Sequence, residues 1–263
     1  MTSTIFREER LKWIIEQLKI SRSVQVNELA IEFGISPSMI RLDLKELEDR
    51  GLLQRTHGGA ILMDGPSARM LRYRLPVDLH GAVLRSEKEA IGRATAALIH
   101  PGDTLMIDSG STTVHVVRAL QDKRGLTVIT NGVGLLPELL ILPEAQVYLC
   151  GGLVNRDDVT LQGEIAGEVI GLFRPAKTIM GIDGISLESG LSADDPIVAA
   201  TKRKMVAASK QLIVVADHTK LNQTSLYTLG PLEAMHTLVT DATAPMATIE
   251  TIRERGVNVI HAS

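Results

Sequence analysis

At 263 residues, with 44% hydrophobic and 22% charged side chains, the chain has the size and balance of a two-domain globular protein with a sizeable core. Aromatic residues at 3% exclude base stacking on single-stranded nucleic acid as a main binding mode, and one cysteine, Cys150 in a short apolar run, excludes a disulfide framework or a cysteine-built zinc site. The net charge of −3 hides an asymmetry: residues 1–85 carry 13 basic and 11 acidic side chains (+2), the remainder 15 and 20 (−5), the sign expected if the N-terminal part meets DNA.

Leu11, Ile14, Ile15 and Leu18 recur at helical spacing and predict a first helix from about Phe6 to Leu18. Val24 to Val26 alternates as a short strand. Asn27 is placed to cap a second helix with Leu29, Ala30 and Phe33 on its inner face, and Gly34-Ile35 turns the chain. Ser36 is a good N-cap and Pro37 suits a first helical position, so a third helix runs from Pro37 to about Arg50, ended by Gly51. Ile40, Leu44 and Leu47 point inward, while Ser38, Arg41, Leu42 and Lys45 lie on the opposite side. Leu52–Arg55 and Ala60–Leu62 flank Thr56-His57-Gly58-Gly59 and read as a hairpin, with both glycines free for positive φ. A short helix, a tight turn, a capped helix with a polar outer face and a glycine-tipped wing, in that order, match the helix-turn-helix geometry that puts the second helix into a major groove. Ser36, Ser38, Arg41, Leu42 and Lys45 are then the candidate base and phosphate contacts, with Arg55 and His57 on the wing.

Residues 63–85 mix Gly65, Pro66, Pro76 and Gly81 with Arg69, Arg72, Arg74 and Arg85, and read as a basic linker between a DNA-binding domain at 1–62 and a second domain at 86–263. Ser86-Glu87-Lys88-Glu89 has the form of a capping box opening a helix to about Ile99. Strands are then predicted at Thr104–Ile107, Leu126–Ile129, Val147–Leu149, Thr178–Met180, Leu212–Val215, Thr237–Val239 and Val257–Ile260. Helices are predicted near 113–120, 133–142, 164–172, 197–209 and 246–255. This alternation predicts an α/β domain with a mainly parallel sheet, in which ligands gather at the carboxyl ends of the strands. The loops there are Asp108-Ser109-Gly110-Ser111-Thr112-Thr113, Thr130-Asn131, Gly151-Gly152, Asp183 beside Gly184, and Asp217 to Lys220, with Lys202 on a nearby helix. Small residues and hydroxyls before a helix suit a phosphate; the G-K-[ST] element of a nucleotide-binding P-loop is missing.

The run SPSMIRLDLKELEDRGLLQRTHGGA, Ser36 to Ala60, resembles the signature of the DeoR family of bacterial repressors, roughly S-x-x-T-I-R-R-D-L, then L-E, G and R-x-H-G-G-A. Met39 stands where the family usually has Thr, and Leu42 where it usually has a second Arg. Glu87 to about Asp241 is similar to the family's effector domain, through Glu87-Lys88, Ile91-Gly92, Asp108 to Thr113, Thr130-Asn131, Gly151-Gly152, Gly163, Gly184, Gly190-Leu191, Lys202, Asp217, Lys220 and Thr240-Asp241. The resemblance implies a fold similar to sugar-phosphate isomerases and a pocket for a phosphorylated sugar or related metabolite. In it, Ser109–Thr113 would hold phosphate, and Asp108, Asn131, Asp183 and Lys202 would meet hydroxyls or the carbonyl.

The expected protein is a regulator, not an enzyme: a multi-domain repressor of a carbohydrate operon, binding double-stranded operator DNA as a homo-oligomer (dimer or tetramer), without cofactor or metal. No signal or membrane-spanning segment is visible, so cytoplasmic residence is expected. The alternative is a sugar-phosphate isomerase-like enzyme carrying an appended DNA-binding domain. A pure architectural DNA binder would leave the glycine-rimmed domain unexplained.

Overall fold

The computed structural model describes residues 7–49, 53–61, 84–156 and 158–263. The chain divides into two compact units, Met1–Val83 and Leu84–Ser263. The expected linker up to residue 83, and the expected helix stop at Gly51, lie outside the described residues.

The first unit contains α1 (Arg7–Ser21), β1 (Ser23–Gln25), α2 (Val26–Phe33), α3 (Pro37–Asp49), β2 (Gln54–Arg55) and β3 (Gly59–Ile61). The strands form an antiparallel sheet in the order β1-β3-β2. Ile14, Leu18, Ile40, Leu44, Leu47 and Leu53 make its core, with Trp13 edge-on to Phe33 at 5.1 Å between centroids. Asp43 sits inside this core because Arg10 Nε reaches its carboxylate at 2.6 Å and Arg7 Nε at 3.1 Å; a buried carboxylate needs such partners. The Ser36 hydroxyl accepts the Met39 N–H at 3.3 Å, as an N-cap should.

Two local expectations are corrected. Asn27 does not cap α2: Gln25 occupies the cap position without a side-chain bond. The Val26 N–H instead donates to the Gly58 carbonyl of the wing at 2.8 Å, so the hairpin does the work of a cap. Gly58 and Gly59 do not adopt positive φ. Gly59 is required for a different reason: a Cβ there would lie 1.9 Å from the Val24 carbonyl oxygen, where β3 presses on β1.

The second unit opens with α4 (Arg85–Ala96) and β4 (Thr104–Ile107), followed by α5 (Thr113–Arg118), β5 (Thr127–Thr130), α6 (Leu136–Leu139) and β6 (Gln146–Leu149). Next come β7 (Leu153–Asn155), β8 (Thr160–Gln162), α7 (Glu164–Gly171), β9 (Lys177–Gly181), β10 (Gly184–Ser186) and β11 (Gly190–Ala193). The chain closes with α8 (Pro196–Ala208), β12 (Leu212–Val215), β13 (Tyr227–Gly230), β14 (Thr237–Asp241), α9 (Met246–Glu254) and β15 (Asn258–Ala262). A parallel seven-stranded sheet has the order β15-β14-β12-β9-β4-β5-β6. All seven strands predicted for this unit are present, with bounds within about two residues.

Five strands were not foreseen: the β7–β8 hairpin, and β10, β11 and β13, which form a small antiparallel sheet. The predicted helix over 133–142 shrinks to a 3₁₀ turn at Val133–Leu135 and the single turn α6, because Gly134 and Pro137 interrupt it. The Ser86 capping box does not form. The helix starts two residues earlier than that box would set it, at Arg85, and Leu84 caps it with φ 54; the Ser86 hydroxyl donates to Glu87, and Arg85 pairs with Glu89 at 2.7 Å.

α4 and α5 pack closely: a Cβ on Gly92 would fall 2.5 Å from the His115 carbonyl oxygen. His115 is buried there, and burial, aided by the nearby charge of Arg118, lowers its pKa to about 4. Its folded pKa lies below its unfolded value, so the unfolded chain takes up the proton first as pH falls. Stability is therefore expected to be intact above pH 6.5 and to fall between pH 6.5 and about 4. Urea unfolding across that range should show a shallower acid loss for His115→Leu; an unchanged slope would contradict the assignment.

Candidate functional site

In a parallel sheet every strand ends on the same rim, and the order of this one reverses its growth between β4 and β9. Loops leaving adjacent strands at such a reversal run apart and open a crevice. Asp108 leaves β4, Asn131 leaves β5, Gly151 and Gly152 follow β6, Asp183 follows β9 and Asp217 follows β12. The expected convergence of strand-end loops is thus present at the level of topology.

At the reversal itself lies a buried ion pair. Lys202 projects from α8, whose N-terminus is fixed by the Asp195 carboxylate accepting the Ile197 and Val198 N–H groups at 2.8 and 2.9 Å. Its ammonium lies 2.9 Å from Asp108 Oδ2 and donates to the Gly181 carbonyl at 2.8 Å, so one side chain ties β4, β9 and α8 together. Both partners are buried. Burial pushes the Asp108 pKa up against the pull of Lys202. Burial also works against the Lys202 charge, but Asp108 and Asp183, with Asp158 behind them, override it and hold the Lys202 pKa above its ordinary value.

The loops after β4 and β5 and the strand β8 carry buried polar atoms with no hydrogen-bond partner among the described residues: Ser109 Oγ, Asn131 Oδ1 and Gln162 Oε1. Asn131 donates to the Leu161 carbonyl and accepts the Leu161 N–H on its own carbonyl, which fastens the β7–β8 hairpin to the loop after β5. Ser109 adjoins the same loop, since a Cβ on Gly132 would come 2.9 Å from its Cβ. Unpaired polar atoms in a buried place are unfavourable and call for a ligand or water.

Other predicted residues serve the scaffold. The Thr130 hydroxyl donates to the Ile107 carbonyl at 2.6 Å and accepts the Gly132 N–H, locking β5 to β4. Thr113 donates to the Gly110 carbonyl, and Thr112 is the buried N-cap position of α5. Ser111 is half-buried and Gly151 exposed. Gly152 takes φ 130 where a Cβ would meet the Gln162 carbonyl at 2.7 Å. Asp183 accepts the Asp194 N–H. Asp217 spends its carboxylate on the N–H and hydroxyl of Thr219, and Lys220 is half-buried beyond it. Sequence reasoning missed Asp158, which accepts from Thr160 and faces Lys202 electrostatically, and Gln162; both sit on the unforeseen hairpin. It also missed His218, whose ring and N–H engage Asp241. Among the described residues no group of His, Cys, Asp and Glu could hold a metal ion, and no helix is long and apolar enough to cross a membrane.

In the first unit α3 presents Ser38, Arg41, Leu42 and Lys45 to the exterior, and Ser36 and His57 are also exposed. Arg55 is less free than expected: its Nε meets Glu48 Oε2 at 2.6 Å and its N–H donates to Glu48 Oε1, clamping the wing to α3.

A winged helix-turn-helix on one unit and an α/β unit with a polar strand-end crevice on the other define a DNA-binding transcriptional regulator with a sensor domain. Residues 10–65 match the DeoR-like helix-turn-helix domain and residues 84–242 the DeoR C terminal sensor domain. The chain belongs to the DeoR family of transcriptional regulators. It is 33% identical to the transcriptional repressor AccR of Agrobacterium fabrum over 94% of both chains, and 31% identical to the glycerol-3-phosphate regulon repressor of Escherichia coli K12, covering 95% of this chain and 97% of that one. Ribose 5-phosphate isomerase A of Methanocaldococcus jannaschii is similar at 12% identity and a TM-score of 0.39, over 52% of this chain and 55% of that one.

Removing Lys202 leaves the Asp108 carboxylate buried without its counter-charge. Lys202→Met is expected to cost about 3–5 kcal/mol at neutral pH, read from urea unfolding of the full chain. As pH falls, Asp108 protonates in the variant and the deficit narrows. Adding Asp108→Asn should recover much of the loss, and purely additive losses would show that the two side chains are not coupled.

Proposed function

We propose that this regulator is a repressor of a carbohydrate-metabolism operon, released from its operator by a phosphorylated sugar or related metabolite, and that it works as a homo-oligomer. The observation that carries the sensing half is the crevice at the strand reversal. A self-neutralised Asp108–Lys202 pair stands there, with the unpaired Oδ1 of Asn131 and Oγ of Ser109 on the neighbouring loops, an arrangement suited to hydroxyls and a carbonyl. Phosphate is assigned to Ser109–Thr113, where small residues and hydroxyls precede a helix. The functional division proposed is 1–62 for DNA, 63–85 as linker and 86–263 for effector.

On the DNA side, Arg41 is the base or phosphate reader on α3, flanked by Ser36, Ser38, Leu42 and Lys45. Arg55, already shared with Glu48, and His57 bring the wing to the backbone. A single module reads only a short half-site, which is the physical reason for two or more copies.

Arg41→Ala should lose about 1–3 kcal/mol of operator affinity in a gel-shift titration if the contact is bidentate to a base. Gly110→Val is expected to abolish the response to sugar phosphates while operator binding stays near normal. The Cβ it adds meets only Thr113 Oγ1, at 3.6 Å, an ordinary contact. An unchanged response would remove phosphate from this loop. Turnover of a sugar phosphate by the wild type, lost in Lys202→Ala, would favour the isomerase-like reading.

A further inference from the structure

β6 is an end strand of the seven-stranded sheet, and its four residues, Gln-Val-Tyr-Leu, include no charge and no proline. Exposed edge strands are usually blunted by such residues, because unpaired N–H and C=O groups recruit other strands. The opposite edge, β15, is treated differently: Val259 and Ala262 are buried, and the Arg253 guanidinium donates to the Val259 carbonyl at 3.2 Å.

The surface around β6 is also apolar. Tyr148 and Leu149 on β6 are 47% and 39% exposed, Leu153 and Val154 on β7 67% and 48%, Ile165 on α7 61% and Leu172 just beyond it 80%. Tyr148 and Leu149 alternate and so flank the edge on opposite faces of the sheet, Tyr148 on the side of α7. The Tyr148 ring lies 5.4 Å from that of Phe173, next to Leu172, and a Cβ on Gly151 would lie 3.5 Å from Ile165. Summed over both sides of the edge they expose on the order of 500 Å² of apolar surface, more than half of the ~800 Å² that each partner buries in a standard interface.

We propose that this face, β6 with β7 and the two ends of α7, is where a second copy of the chain docks, edge strand against edge strand. The inference rests on the reading of the chain as a homo-oligomer and adds the surface. A two-fold axis beside β6 pairs the strand with its own copy in antiparallel sense, so one operation covers both unpaired edges and buries both apolar patches. The rim carries both signs, Glu164 and Glu168 with Arg156 and Arg174, all exposed. A mixed rim does not set two copies against each other as a rim of one sign would.

The test is sedimentation velocity on the full chain across a micromolar dilution series. Wild type should sediment as a dimer or a larger even-numbered assembly. Leu153→Glu combined with Leu172→Glu should weaken association by more than tenfold. Leu226→Glu, at an equally exposed leucine just before β13, should leave it unchanged. Both leucines of the double variant are exposed, so its thermal unfolding should match the wild type once association is allowed for. As a readout free of substitutions, amide exchange at 146–149 should slow as concentration rises through the association range. A double variant that assembles like the wild type, or β6 amides that ignore the dilution, would overturn the proposed face while leaving the oligomer standing. A monomeric wild type would overturn both.

Discussion

Between β4 and β9 the sheet changes its direction of growth, and the ion pair of Asp108 with Lys202 is set into that gap. Strand order alone opens the crevice; the pair decides what its floor is made of. Lys202 holds three elements at once, through Asp108 at the end of β4, the Gly181 carbonyl at the end of β9, and its own place on α8. Each ion is tolerable in the interior only because the other is there. The loops that carry Ser109 and Asn131 are positioned relative to this fixed point, and the β7–β8 hairpin is positioned in turn by Asn131.

The DNA-binding unit uses the same economy of shared partners. Asp43, on the buried side of α3, receives Arg10 and Arg7 from α1, which fixes how the two helices cross. Glu48, five residues further along, receives the wing through Arg55. α3 is therefore braced at its middle and near its C-terminal end by carboxylates that it supplies itself, while Ser38, Arg41, Leu42 and Lys45 face outward. The Gly58 carbonyl, which satisfies the first N–H of α2, extends the bracing to the preceding helix.

How far the sequence could be read follows from where periodicity is strong. Buried parallel strands such as Leu212–Val215 are continuous apolar runs, and their bounds came out closely. The helix-turn-helix was legible because Ser36, Pro37 and Gly34 punctuate it. The hairpin of β7 and β8 was not, since Leu-Val-Asn and Thr-Leu-Gln are too short to show alternation, and its pairing depends on Asn131 about thirty residues away. Gln162 and Asp158 were hidden with it. Ser86 misled because a capping box also occurs as a run of helical residues; Leu84 takes the cap in a left-handed conformation that no local rule for leucine suggests. Arg55 was visible as a charge, but its attachment to Glu48 is a tertiary fact.

The closed charge pair at the bottom of the crevice bears on the life of the protein between signals. A receptor conveys information by being present in two conditions, occupied and vacant, and the vacant one must persist long enough to be acted upon. A lone buried ammonium would make the domain depend on an outside anion for its fold, and scarcity of that anion would then be read as loss of the protein. With Asp108 as its built-in anion, Lys202 keeps its charge and the domain keeps its fold without a partner from outside the chain. The binding energy of whatever signal a domain of this build receives would then be available to favour one arrangement over another instead of rescuing the domain from collapse.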